Sequence, residues 1–145
     1  MKTPKVTPGQ CQPLNKTLLG KPMSIEAFLN RYVMINQASC EGAPAHIAVH
    51  LIRGLEQSPP PYVDAHSHPD CDEIGLVIAP PGELEYEMIL GDKVHKITSP
   101  ASIFIPAGTT HRARALRGNG AYTCILFDSR GPAAANIAKP AKQPG

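Results

Sequence analysis

The sequence predicts an all-β domain, a sandwich or barrel of about seven or eight short strands. Sixteen prolines and 12 glycines among 145 residues interrupt the chain too often for a helical bundle. Apolar residues make up 42% and charged residues 18%, which is typical of a globular protein and not of a disordered one. A chain of this length supports one hydrophobic core, so we expect a single domain.

The two ends of the chain differ in composition from the middle. Residues 1–14 are polar and rich in proline, which predicts a flexible N-terminal arm. Residues 132–145 are biased toward Ala, Pro and Lys, which predicts a flexible C-terminal tail. The barrel domain with an N-terminal extension is expected between them, over residues 15–131. In that extension, Ser24 is a candidate N-cap for a short helix over residues 25–29.

Strands are expected where apolar residues alternate with polar ones or form short runs. These segments are residues 45–52, 73–79, 83–90, 102–106, 111–116 and 121–127. Gly91-Asp92 predicts a two-residue hairpin turn after the third of them. That register sets Glu87 opposite Lys96 and Tyr86 opposite Ile97, so charge meets charge on one face and apolar meets apolar on the other.

Charge is distributed in blocks of opposite sign. Residues 1–55 carry six Lys or Arg and two acids, residues 56–92 carry nine acids and no Lys or Arg, and residues 93–145 carry eight Lys or Arg and one acid. Such blocks can pair across strands within one fold. A dense basic run with aromatics between is absent, so we expect no nucleic-acid partner. No apolar run is long enough for a membrane helix or a signal peptide, which predicts a cytoplasmic location and no membrane partner.

The four cysteines show no metal-binding or redox spacing. Cys11, Cys40, Cys71 and Cys124 form no CxxC pair, so they are expected to be four reduced thiols. Cys71 lies within the histidine-rich segment described next and is expected to be a bystander there.

Residues 66–73, HSHPDCDE, carry the strongest chemical signal in the chain. Side chains two apart on a strand face the same way, so His66 and His68 project together. Glu73 follows a short segment that contains a proline and can return a carboxylate to the same face. His111 follows a turn and shares its strand face with small residues. Three imidazoles and one carboxylate suit one divalent ion per chain, such as Fe, Mn, Ni, Co or Zn.

Other residues compete for, or extend, this site. Asp70 and Asp72 are rival carboxylate ligands to Glu73, which has the favoured spacing. Five residues are candidates to line a substrate pocket, although each is also compatible with an ordinary structural role: His46, His50, Tyr86, Met88 and His95.

This combination resembles the cupin superfamily, in which one motif places HxH, three or four residues and then Glu, and a second motif reads PxGxxH. The matching positions are His66, His68 and Glu73, then Pro106, Gly108 and His111. The resemblance covers roughly residues 45–127 and implies a single-domain antiparallel jelly-roll β-barrel with the metal inside. The sequence departs from the family pattern at turn and neighbouring positions, namely Pro60, Pro80, Pro100 and Ala115.

Two functional classes follow from this interpretation. The first is a small metal-dependent enzyme, an oxygenase, isomerase or lyase that acts on a small organic molecule able to chelate the metal. The second is a non-catalytic module that binds or senses a small ligand in the same pocket. The apolar residues of the N-terminal extension are expected to pack on the outer sheet or to reach a partner chain in a homodimer. They are Leu18, Leu19, Phe28 and Leu29.

Overall fold

A computed structural model describes residues 2–14, 25–131 and 136–137 of the chain. Within these residues the chain forms antiparallel strands and a single 3-10 turn. In chain order they are β1 (Gln10–Cys11), the 3-10 turn (Ile25–Ala27), β2 (Leu29–Ile35), β3 (His46–Leu55), β4 (His66–Ser67), β5 (Glu73–Ile78), β6 (Leu84–Leu90), β7 (Lys93–Thr98), β8 (Ala101–Ile105), β9 (His111–Leu126) and β10 (Asn136–Ile137).

Strand β9 belongs to two layers of the sheet. Its first half, from His111 to Gly118, pairs with β6 and meets β4 at His111. Its second half pairs with β3 on one side and β5 on the other. One layer is therefore β1-β2-β3-β9-β5-β8, and the other is β7-β6-β9-β4-β10. This is the architecture expected of an antiparallel jelly roll.

Two glycines let β9 pass from one layer to the other. Gly118 and Gly120 have φ of +111° and +152°. A Cβ at Gly118 would lie 1.8 Å from the carbonyl oxygen of Glu83, and one at Gly120 would lie 2.6 Å from that of Ile78. The backbones approach too closely for any other residue. The segments expected as two strands, 111–116 and 121–127, are thus one bent strand, because the glycines bend the strand without ending it.

The β6–β7 hairpin has the register predicted from the sequence. Glu87 lies opposite Lys96, and Tyr86 lies opposite Ile97. The two-residue turn fixes this register, since a shift by one residue would turn every apolar side chain to the wrong face.

The core lies between the two layers, and the N-terminal extension contributes to it. The 3-10 turn is shorter than the expected helix, because Leu29 already belongs to β2. Ile25 and Leu29 are each 1% exposed, and the Phe28 ring meets the edge of Tyr62 with ring centroids 6.0 Å apart. This part of the extension therefore packs on its own domain. Ser24, Leu18 and Leu19 lie outside the described residues.

Short strands occur in both terminal segments. In β1, Gln10 and Cys11 pair with Val33 and Tyr32 of β2, while β10 pairs with β4. The predicted flexibility of these segments stays a prediction. Among the described residues, no helix has the length and apolarity needed to cross a membrane.

Candidate metal centre

The start of β9 and the strand β4 bring three histidines together. His66 and His111 are cross-strand partners, with ring centroids 4.4 Å apart. The His68 ring lies 5.0 Å from that of His66 and 5.5 Å from that of His111. One ring nitrogen from each histidine lies within 4.8 Å of the other two. The three side chains are therefore placed to share one ion.

Backbone carbonyls fix which nitrogen of two of these rings carries the proton. The Nδ1 atom of His66 donates to the carbonyl of Asp64, and that of His111 donates to the carbonyl of Thr109, each at 2.9 Å. A carbonyl only accepts, so in the neutral rings Nε2 keeps a free lone pair. This is the tautomer that metal-binding histidines commonly adopt.

Glu73 reaches the same point from the start of β5. Its side chain is buried, and its Oε2 atom lies 2.7 Å from Nε2 of His111. Neither atom has another hydrogen-bond partner among the described residues. Two acceptors at this distance repel each other unless a cation lies between them. That cation is either a proton on His111 or a metal ion.

The protonation states agree with a cation-binding site. Burial lowers the pKa of His66, and it lowers that of His68 to about 4, so both rings are neutral ligands near neutral pH. Burial alone would lower the pKa of His111, but the hydrogen bond and charge of Glu73 raise it. The buried Nδ1 atom of His68 also lacks a hydrogen-bond partner. Three ring nitrogens and a carboxylate that converge in this way are the donor set that suits a divalent transition metal.

The loops that carry the ligands are joined to each other. The backbone amide of Gly108 donates to the carbonyl of His68 at 2.8 Å, and that of Ala107 donates to Oδ1 of Asp72 at 2.9 Å. Asp72 is thus engaged in holding the two loops together. Asp70 and Asp72 are both exposed, whereas Glu73 lies against the histidines.

Cys124 also contacts Glu73, a contact that the sequence analysis missed. Its thiol donates a hydrogen bond to Oε1 of Glu73. Burial, the charge of Glu73 and this hydrogen bond raise the pKa of Cys124 well above its ordinary value, so the thiol stays protonated. Cys71 is buried nearby, and burial raises its pKa as well. No sequence pattern points to Cys124, because its partner is brought close only by the pairing of β5 with β9.

His46 presents an unpartnered N–H to the interior. Asn36 accepts from two backbone amides through Oδ1, at 2.9 and 3.2 Å, so its amide nitrogen faces His46. That nitrogen donates to Nδ1 of His46 at 3.3 Å. Nε2 of His46 therefore carries the ring proton, and it is buried with no partner among the described residues. On the inner face, His46 lies in the same cross-strand row as Glu73.

His50 lies further along β3, against Arg31, a residue that the sequence analysis does not single out. Nη1 of Arg31 donates to Nε2 of His50 at 2.9 Å. The His50 ring meets the edge of Tyr122, whose ring stacks on Tyr86 with centroids 4.8 Å apart.

The remaining pocket candidates lie on β6 and β7. Tyr86 and Met88 are fully buried core residues of β6. His95 lies opposite Met88 on β7, but its side chain is exposed.

Comparison with known proteins finds similarity of structure and none of sequence. No protein-family model and no curated protein sequence matches the chain. KdgF from Halomonas sp. superposes with a TM-score of 0.51 at 16% identity, covering 72% of this chain and 82% of KdgF. A variant of PAC13 from Streptomyces, with uridine, gives 0.61 at 9% identity, covering 96% and 93%. The DMSP lyase DddQ from Ruegeria pomeroyi DSS-3 gives 0.60 at 17% identity, covering 93% of this chain and 64% of the lyase.

These similarities define the class of fold. The chain is an antiparallel β protein with a cupin-type fold, as its two sequence motifs implied. Identities this low establish a shared architecture and not a shared activity.

Proposed function

We propose that this protein is a metal-dependent enzyme that acts on a small organic molecule able to chelate the metal through two oxygens. The observation that carries this proposal is the convergence of three histidine ring nitrogens within 4.8 Å of one another, with Oε2 of Glu73 2.7 Å from one of them. Three imidazoles and a carboxylate directed at one point are the ligands that a divalent transition metal prefers.

The ligands would be His66, His68, Glu73 and His111, which together would hold a single divalent ion. A bound ion of this kind acts as a Lewis acid and polarises the oxygen that it contacts. Three neutral imidazoles and one carboxylate leave up to two positions of a six-coordinate ion for a chelating ligand.

The chain supplies further groups around that point. The N–H of His46 is buried in the interior and is free to donate to a substrate oxygen. The thiol of Cys124 holds Oε1 of Glu73, which orients the carboxylate toward His111. Such hydrogen bonds to a ligand commonly tune the affinity of a metal site.

Among the three reaction classes, a lyase is the one that the structural neighbours support. DddQ is named a DMSP lyase, and a Pac13 structure is described as that of a unique nucleoside dehydratase. Loss of water from a nucleoside is also an elimination. Negative charge develops on the leaving group in an elimination, and the N–H of His46 would stabilise that charge through a hydrogen bond.

Metal content is the first test. Protein purified without a metal-affinity tag should hold about one metal per chain by elemental analysis. The double variant His66→Ala/His68→Ala should lose the metal, and His95→Ala, which removes an exposed imidazole, should keep it. Full metal content in the double variant would overturn the assignment.

Turnover separates the enzyme from a binding module. The metal-loaded protein should convert at least one member of a panel of 2-hydroxy acids, 2-oxo acids and uronates. Product analysis of reactions run with and without oxygen measures this conversion. His46→Gln should reduce that turnover while leaving the metal content unchanged. Binding of these chelators without conversion of any would favour the non-catalytic module. The cytoplasmic location stays a prediction from the sequence.

A further inference from the structure

Arg31 places a positive charge on the inner face of the sheet. In β2 it lies opposite His50 of β3, and His50 lies opposite Tyr122 of β9. Residues directly opposite on neighbouring strands share a face. His50 and Tyr122 are buried on the inner face, at 8% and 5% exposure, so the Arg31 side chain also points inward.

Neutral groups hold the Arg31 guanidinium in place. Its Nη1 atom donates to Nε2 of His50, and its Nε atom donates to Oε1 of Gln12, both at 2.9 Å. Burial, with a smaller effect of Arg31, lowers the pKa of His50 to about 3, so this partner carries no charge near neutral pH. Among the described residues, no carboxylate pairs with the guanidinium and no acceptor bonds to its Nη2 atom. Arg31 is half-buried, and a cation that is partly removed from water without an anionic partner carries a cost for the fold.

The charges of the interior favour a ligand that carries two negative charges. Glu73 is the buried acid of this interior, and its charge partly offsets the effect of burial on the pKa of Arg31. A divalent metal bound to Glu73 would use that carboxylate, so the metal and Arg31 together would carry an excess of two positive charges. A ligand with one negative charge at the metal and another at Arg31 would neutralise both.

One cross-strand row lies between the two charged ends. Glu73 lies in a row with His46, and Arg31 lies in another with His50. The row between them contains Gly75, Cys124 and Ala48, and the Tyr122 hydroxyl packs over Gly75. The two outer rows are four residues apart along a strand, about 14 Å between backbones. The long Arg31 side chain shortens this separation: burial is the main cause of the lowered pKa of His46 and of His66, and the charge of Arg31 contributes to both.

We propose that Arg31 forms an anion-binding subsite, positioned by His50 and Gln12, and that the substrate is a small acid with a second carboxylate beyond the oxygens that chelate the metal. The inference rests on the proposed metal-dependent function. The planar guanidinium suits a carboxylate, to which it can donate two parallel hydrogen bonds.

Two acids that differ only at the far end test this subsite. Protein loaded with Ni²⁺ is titrated calorimetrically with 2-oxoglutarate and with 2-oxopentanoate, which has the same chelating end and chain length but no second carboxylate. The wild type should bind 2-oxoglutarate at least about tenfold more tightly, as expected for a charge-assisted contact. Arg31→Gln should remove this preference, and Arg31→Lys should keep part of it.

The control is Arg53→Gln. Arg53 is an exposed arginine of the neighbouring strand β3 that bonds Asn30 and the carbonyl of Glu26. This variant should bind both acids as the wild type does, and thermal unfolding verifies that all variants are folded. Equal affinities in the wild type, or an undiminished preference in Arg31→Gln, would overturn the inference.

Metal content distinguishes failure of the Arg31 subsite from failure of the proposed metal-dependent function. Elemental analysis of each loaded sample shows whether Ni²⁺ is bound before the acids are added. If the wild type takes up no Ni²⁺, the proposed function fails, and the metal-free protein is titrated with glutarate instead. Binding of glutarate that Arg31→Gln abolishes would then support the subsite on its own, and binding that the variant retains would overturn it.

Discussion

His50 should make the metal-free protein less stable in mild acid. Burial and the nearby Arg31 lower its pKa to about 3, whereas an unfolded histidine titrates near its ordinary value of about 6.5. At a pH above the pKa of the unfolded histidine, His50 is neutral in both the folded and the unfolded state, and the full stability is present. As the pH falls from about 6.5 toward 3, the unfolded state takes up a proton that the folded state refuses, so stability is lost. Between about pH 7 and pH 5 the loss from this one group is about 2 kcal/mol.

Comparison with His50→Gln isolates this contribution, because glutamine keeps an acceptor for Arg31 but does not titrate. The free energy of unfolding is measured with urea, in the presence of a chelator, at several values between about pH 7 and pH 5. The wild type should lose about 2 kcal/mol more than the variant over this range. The exposed His95 supplies the control, His95→Gln, for the general effect of losing an imidazole. Parallel curves for wild type and His50→Gln would show that His50 is not held neutral as the structure implies.

Two further predictions concern the fold and the assembly. Gly118→Ala should lower the free energy of unfolding by about 3 kcal/mol or more, because the added Cβ meets a backbone oxygen. Gly54 has a φ of +61° and no atom within 4 Å of an added Cβ, so Gly54→Ala should lower it by only about 1 kcal/mol. Urea unfolding measures both changes. The outer face of the layer that contains β3, β5 and β8 leaves apolar side chains exposed, including Leu51 at 43% and Phe104 at 61%. We therefore expect this face to join two copies of the chain. The double variant Leu51→Lys/Phe104→Lys should then be a monomer by light scattering. A wild type that is itself monomeric at micromolar concentration would contradict this expectation.

Features that depend on neighbours in the sequence could be predicted, and the structure shows why. The β6–β7 register follows from a two-residue turn, which leaves the chain no freedom to shift. The convergence of His66 and His68 follows from the alternation of side chains along one strand. His111 was found only because a second motif marked it, since its pairing with β4 joins segments far apart in the chain.

Features that depend on distant strand pairing could not be predicted in this way. Arg31 and His50 are 19 residues apart, and the β2–β3 ladder that aligns them contains a register shift, so counting along the sequence does not find the pair. Cys124 and Glu73 are 51 residues apart. A lone arginine in a strand more often faces solvent, and nothing local to Arg31 indicates that its strand turns it inward.

The continuity of β9 links the two ends of the proposed pocket. The strand begins with His111, crosses between the layers at Gly118, and then carries Tyr122 against His50 and Cys124 against Glu73. His68 lies in the loop after β4, but Glu73 and His111 begin β5 and β9, so hydrogen-bonded strands set the distance of these two residues from the Arg31 end. Sites built on such elements hold their geometry more accurately than sites built on loops. With the metal at one end and Arg31 at the other, as proposed, the site would select an acid by the spacing of its charged groups, and specificity would then require no large binding surface.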